Sequence, residues 1–136
     1  MKIRVYYEDT DAGRIVYHAN YLKYCERARS EEFFRRGMQP FGEERSGFVV
    51  RHIDADFTGM AYLGDLLEVQ TAVLEEKRSS ILLRQSIHRG DEEVFTMKVL
   101  LVYVVEGRPR RIPSELLKVI EALADHSETD RMPGDS

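Results

Sequence analysis

Cysteine is nearly missing from this sequence. Cys25 stands alone among 136 residues, so no disulfide can close within one chain and no cysteine-built zinc site can form in it. Long apolar runs are missing too. The longest, Val99 to Val105, is far below the roughly 20 residues that a membrane-spanning helix needs. The opening Met1 to Glu8 holds no apolar segment of the signal-peptide kind. An excess of positive charge is also absent. Lys and Arg total 20 against 24 Asp and Glu, for a net charge of -4, which argues against a general nucleic-acid binder. No repeat or low-complexity tract interrupts the chain. What is present is 43% hydrophobic and 32% charged residues, a composition that supports a packed core. The length suits one domain. The expectation is a soluble cytoplasmic protein with one domain over 1–124 and a polar, flexible tail over 125–136.

Ile3 to Glu8 reads as a short strand, rich in β-branched and aromatic residues. Asp9 to Gly13 breaks it with turn chemistry. From about Asn20 to Arg36 the spacing predicts a helix, with Asn20 as its N-cap. Tyr21, Leu22, Cys25, Ala28 and Phe33 fall on one face, into which Arg29 and Glu32 intrude. Glu26 and Arg29 are i,i+3 neighbours, suited to an ion pair. Gly37 is placed to stop the helix, and Pro40 and Gly42 mark the loop beyond. Strands are then expected at Phe48 to Phe57, around Leu67 to Val73, at Ile81 to His88 and at Val94 to Val105. The Val99–Val105 run predicts burial on both faces. Ser114 to Ala124 reads as a closing helix. One long helix against a mostly antiparallel sheet is an α+β layer arrangement. An apolar far side of that sheet would call for a partner subunit.

The chemistry concentrates before the long helix. Asp9 and Asp11 lie in the turn, and His18 and Asn20 follow seven and nine residues after Asp11. A helix start presents unpaired N–H groups and a positive dipole end. Such donors stabilise a developing oxyanion, and a nearby carboxylate can attack a carbonyl or activate water. Those are the needs of acyl-transfer hydrolysis. On spacing alone, the same residues also fit a simple capping turn.

The stretch Asp9-Thr10-Asp11-Ala12-Gly13-Arg14-Ile15-Val16-Tyr17-His18-Ala19-Asn20-Tyr21-Leu22, followed by Glu26-Arg27-Ala28-Arg29-Ser30-Glu31, resembles the signature of hotdog-fold acyl-CoA thioesterases. Within them it is most similar to the Tol–Pal-associated, YbgC-type branch of the 4-hydroxybenzoyl-CoA thioesterase family. The likeness continues through Phe48-Val49-Val50-Arg51, Tyr62-Leu63-Gly64-Asp65-Leu66-Leu67 and Arg110-Arg111-Ile112-Pro113. It runs from Ile3 to about Leu123. It implies a hotdog fold, in which a five-stranded antiparallel sheet wraps a long central helix and a short C-terminal helix follows. It also implies hydrolysis of acyl-CoA. Asp11 would be the catalytic carboxylate, as nucleophile or as general base on water. His18 would be the active-site histidine, with an oxyanion-binding backbone N–H at or near it. Paired subunits, as a homodimer or homotetramer, would form each site at their interface, with partner strands near Phe57 to Tyr62 completing it. One departure is Arg14, where the family commonly has glycine. It bears on substrate preference more than on activity.

Other residues have two readings each. Tyr17 and Tyr21 are core or rim aromatics, or they line an acyl pocket. Lys77-Arg78 and Arg108-Pro109-Arg110-Arg111 are solvated turn charges, or one cluster meets the CoA phosphates, with Arg110 and Arg111 as bidentate donors. Cys25 reads as a small buried hydrophobe. No histidine pair has metal-ligand spacing and no Gly-rich phosphate loop is present, so no metal or other cofactor is implied. The rival functions are a non-catalytic acyl-CoA-binding hotdog module, acting as sensor or scaffold, and a hotdog hydratase, whose different Asp/His arrangement is not found. A third reading is an interaction protein of the cell-envelope machinery, which is compatible with enzyme activity, and a cell-envelope or acyl-carrier-protein partner is among the expectations. No membrane span is expected.

Overall fold

No proline or glycine interrupts His18–Arg35, and this run forms the long helix α1. A computed structural model gives the structure of residues 1–130, with side chains to residue 124. Ahead of α1 come β1 (Lys2–Arg4) and a single 3₁₀ turn (Tyr7–Asp9). After it come β2 (Ser46–Asp56), β3 (Leu66–Glu76), β4 (Ser80–Arg89), β5 (Glu92–Val105), the two-residue β6 (Arg108–Pro109) and α2 (Ser114–Asp130). The expected succession holds, with β6 added.

The first strand is shorter than the Ile3 to Glu8 expected. Val5 N–H is taken by Asp65 O (2.9 Å), and the chain then curls because Asp9 Oδ2 accepts the Tyr6 N–H (3.0 Å). The start of α1 also differs. Its N-cap is Tyr17, without a side-chain cap bond, so Asn20 is not the cap. Helical bonding begins earlier because Asn20 N–H already reaches Tyr17 O (2.9 Å). At the other end Gly37, at φ 71°, donates to Phe34 O while Met38 donates to Phe33 O (both 2.9 Å). This left-handed stop suits glycine, which has no Cβ to clash.

All sheet pairings are antiparallel, in the order β1-β3-β4-β5-β2, with β6 beside β5. Leu67 and Val69 of β3, Ile81, Leu83 and Ile87 of β4, and Met97, Val99 and Leu101 of β5 are buried in one cluster with Tyr21, Tyr24, Cys25, Ala28 and Phe33 of α1. Each Val, Leu, Ile, Phe or Met among them contributes about 1.5–3 kcal/mol when removed from water. On β5 the face of Val99, Leu101 and Tyr103 is buried, while on the other face of that run Val102 is buried and Leu100 and Val104 are half-buried, so the expected double burial is met only in part. Tyr24, absent from the helical face that the spacing predicts, is fully buried.

The polar intruders on α1 are tied down. Arg29 Nη1 donates to Gln85 Oε1 (2.7 Å). Gln85 Nε2 in turn donates to Cys25 O (3.1 Å) and Thr71 Oγ1 (3.2 Å). The Glu26–Arg29 ion pair is therefore not what holds the helix, because Arg29 turns inward to Gln85 while Glu26 stays exposed. Glu32 is buried and faces Arg36 Nε (3.3 Å) and Arg35 Nη1 (3.8 Å).

Helix α2 runs beyond Ala124 to Asp130, so the expected tail overlaps its last turns. The tail residues 131–136 lie outside the described residues. No helix among the described residues is long and apolar enough to cross a membrane.

Candidate active site

Asp9 and Asp11, two residues apart, occupy opposite environments. Asp9 is buried at 9% exposure. Its carboxylate holds the Tyr6 N–H, and its backbone oxygen accepts both the Tyr17 N–H (3.0 Å) and Asn20 Nδ2 (2.8 Å). It shapes the turn, as Asp in this position often does. Asp11 is exposed in the single chain. One of its carboxylate oxygens, Oδ1, accepts the Gly13 N–H (2.9 Å).

Asp11 sits at the tip of a small hairpin. Thr10 pairs with Val16, Asp11 N–H reaches Ile15 O (3.0 Å), and Arg14 N–H returns to Asp11 O (2.9 Å). Arg14 stands at φ 63°, the left-handed region where a Cβ costs about 1–2 kcal/mol. A glycine here would adopt the turn without strain, whereas Arg14 adopts it at a conformational cost. The base of the hairpin is the start of α1. There the Asn20 amide ties the helix to the turn, a role the sequence pattern did not reveal. Among the described residues no acceptor meets the His18 and Ala19 N–H groups, which as first-turn donors have no partner within the helix.

His18 is the first residue of α1 and is exposed. Its ring lies 4.4 Å from that of Tyr17 and 6.1 Å, edge-on, from that of Phe57. Tyr17 is half exposed. Tyr21 lies deeper. Its ring stacks on Phe95 (5.4 Å) and meets Phe57 (5.9 Å), and its hydroxyl accepts the Ala61 N–H (3.1 Å). Burial pushes the Tyr21 phenol above its ordinary value. The segment around Phe57 to Tyr62 thus packs on its own chain's helix start, with Tyr62 bridged to Ile15.

The basic clusters do not join this group within one chain. Lys77, Arg78 and Arg111 come together from separate parts of the sequence, lining a groove of about 630 Å³ beside the start of α2. The hairpin bond Lys77 N–H to Ser80 O closes the far end of β3, whereas the near end lies by the Asp11 turn, through Leu63 N–H to Arg14 O. Strand β3 has 11 residues, so the separation is on the order of 30 Å. Arg110, whose guanidinium donates to Pro109 O (3.0 Å), lies at that far end too, its N–H bonded to Tyr103 O (3.0 Å). Cys25 is fully buried, and burial pushes its thiol up to about 12. That is a core side chain and not a nucleophile.

Residues 5–120 match the family model of the thioesterase-like superfamily. A stretch of 88 residues is 53% identical to the acyl-CoA thioesterase YbgC of Helicobacter pylori, and it spans 65% of this chain and 65% of that protein, just under two thirds of each. Over 120 residues the chain is 36% identical to the acyl-CoA thioester hydrolase YbgC of Escherichia coli O157:H7, covering 85% of this chain and 90% of that one. The solved structure of a probable thioesterase from Bartonella henselae superposes with a TM-score of 0.77 at 34% identity, covering 83% of this chain and 97% of that one. The sheet, the helix and the sequence agree: the chain belongs to the thioesterase-like superfamily, and its α+β architecture is the hotdog fold.

Proposed function

We propose that this protein hydrolyses acyl-CoA thioesters, with Asp11 as the catalytic carboxylate. The observation that carries the reading is the hairpin that sets an exposed carboxylate one short turn away from a helix start whose His18 and Ala19 N–H groups have no acceptor among the described residues. Oriented donors of this kind stabilise the oxyanion that forms when a thioester carbonyl is attacked. In one route Asp11 attacks the carbonyl carbon, the C–S bond breaks, CoA leaves as thiolate, and water then hydrolyses the mixed anhydride. In the other, Asp11 takes a proton from the attacking water. Label found in Asp11 after a single turnover in ¹⁸O water establishes the first route, in which water opens the anhydride at the Asp11 carbonyl. His18 orients substrate or water. Tyr17 lines the acyl pocket, with Tyr21 behind it.

In this reading the site is completed by a second copy of the chain. Strand β2 pairs with β5 along one edge, and beyond the Phe41–Gly47 bridge its other edge is open among the described residues; the strand exposes Val49, Val50 and Ile53, with Phe57 just beyond it. An open edge with apolar side chains is suited to pairing across a subunit seam. Arg110 and Arg111, remote from Asp11 in their own chain, serve as contacts for the CoA phosphates of the partner's site. The alternative, an acyl-CoA-binding module without catalysis, gives a ligand-induced rise in Tm and no thiol release. The deciding experiment is a panel of acyl-CoA thioesters followed by thiol release, on wild type and on Asp11→Ala. Release by wild type and its loss in the variant support the reading. Equal release by both overturns the role of Asp11.

A further inference from the structure

The segment 57–65 leaves β2 and runs along the Asp11 hairpin before entering β3. Val16 N–H donates to Ala61 O (2.9 Å) and Leu63 N–H to Arg14 O (3.0 Å), flanking the Ile15–Tyr62 bridge. The position of the hairpin is therefore set by this segment. Yet the segment buries little of itself. Ala61 is fully buried, but Phe57, Met60 and Tyr62 are 51%, 54% and 44% exposed. Apolar packing alone is a weak anchor at such exposure, so polar fastening matters.

At its ends the segment is held by Thr58 and Gly59 N–H to Val94 O, by Gly64 N–H to Val5 O and by Arg4 Nη1 to Gly64 O, and in its middle by Arg89, the last residue of β4. Its Nη1 donates to Met60 O (2.9 Å) and to Asp65 Oδ2 (3.3 Å), and its Nη2 to Glu92 Oε1. Its guanidinium carbon lies 5.0 Å from the Tyr62 ring centroid. Asp65 Oδ2 also accepts the Tyr62 N–H (2.8 Å), so one carboxylate links the cation to the residue bridged to the hairpin. Close approach of the segment to β5 depends on Gly59, where an added Cβ would meet Glu92 Oε2 at 2.9 Å and the Val94 backbone at 3.3 Å.

We propose that Arg89 is a positioning residue for the Asp11 hairpin. It acts through Met60, Tyr62 and Asp65 and touches neither the carboxylate nor the helix-start donors. A planar fork can serve two carboxylates and a carbonyl at once while covering a ring face, whereas lysine offers a single charged centre. The catalytic consequence rests on the thioesterase reading; the mechanical one does not.

The test compares Arg89→Gln, Arg89→Lys, Asp65→Asn and the double variant Arg89→Gln/Asp65→Asn with wild type. kcat and KM are measured with an acyl-CoA that wild type turns over, and amide hydrogen exchange is followed at Val16, Leu63 and Val99. The expected result for Arg89→Gln is a kcat lower by about tenfold, in keeping with small misplacement of a reacting group, with KM within about threefold. Protection falls at Val16 and Leu63 and holds at Val99. Arg89→Lys recovers part of kcat, and the double variant loses no more than the worse single one, as coupled partners do. Wild-type kcat together with wild-type protection at Val16 and Leu63 in Arg89→Gln overturns the proposal. So does an equal loss of protection at Val99, which marks general destabilisation. A wild type that releases no thiol from any acyl-CoA overturns the thioesterase reading instead, and the exchange data still decide the role of Arg89.

Discussion

The first turn of α1 and its middle treat polar groups in opposite ways. In the middle, Arg29, Gln85, Thr71 and the Cys25 carbonyl bond to one another inside the core, and Glu32 has Arg35 and Arg36 beside it. At the start, the His18 and Ala19 N–H groups have no acceptor among the described residues, and the Asp11 carboxylate carries a single backbone donor, from Gly13. Polar groups that hold a fold together satisfy one another, because a buried unpaired one is costly. At the rim, groups without such partners stay available to a substrate of the kind proposed above. The contrast separates two kinds of charged residue on one short stretch of chain, and it can be tested from both sides.

The largest expected effect lies at the rim. Asp11→Asn keeps the Oδ1 acceptor for Gly13, so Tm stays within a few degrees of wild type while turnover falls by about 10²–10⁴-fold. Thiol-release assays beside thermal melts check it, and a parallel fall of Tm and activity would erase the distinction. The middle of the helix should behave in reverse. Gln85→Leu leaves the Arg29 guanidinium without its bonded oxygen and lowers unfolding free energy by about 2–3 kcal/mol, while activity per folded molecule is preserved. Urea titration with assays below the transition resolves the two.

A smaller effect appears at high pH. Burial raises the Cys25 thiol from 9.0 to about 12, and burial with the neighbouring Asp9 charge raises the Tyr24 phenol as well. Both groups stay neutral in the folded chain and ionise more readily once unfolded. Their contribution is complete below the unfolded values and is lost as pH rises through 9 toward 12. Urea midpoints should fall over that window, less steeply in Cys25→Ala. A slope unchanged by the substitution would show that Cys25 is not part of it. The smallest effect is at Arg14. Arg14→Gly relieves the left-handed strain and adds up to about 1 kcal/mol of stability, with kcat near wild type for a small acyl group.

Much of this architecture is legible in the amino-acid sequence. The Asp-turn-His succession, the Gly37 stop and the burial of one face of β5 follow from local chemistry and from periodicity, which act between near neighbours. The departures share a cause. Asn20 has the chemistry of a cap, and cap preference is local, but its amide is claimed by Asp9 O across the turn. Glu26 and Arg29 have ideal helical spacing, yet Gln85, 56 positions away from Arg29, takes the guanidinium. Arg89 belongs to no motif at all, since its value lies in meeting residues from a loop between two other strands.

Sequence by itself determined the main elements, their order and the acid-bearing turn, because hydrogen-bonding periodicity, glycine stops and turn preferences operate over a few residues. Tertiary structure alone decided which charges are occupied and which are free. It brought Lys77, Arg78 and Arg111 together far from Asp11, buried Tyr21 against Phe95 while Tyr17 and His18 stayed exposed, and clamped the hairpin through Arg89. A side chain's availability is set by its competitors for the same hydrogen bonds, and those competitors arrive from distant strands only when the sheet closes over the helix.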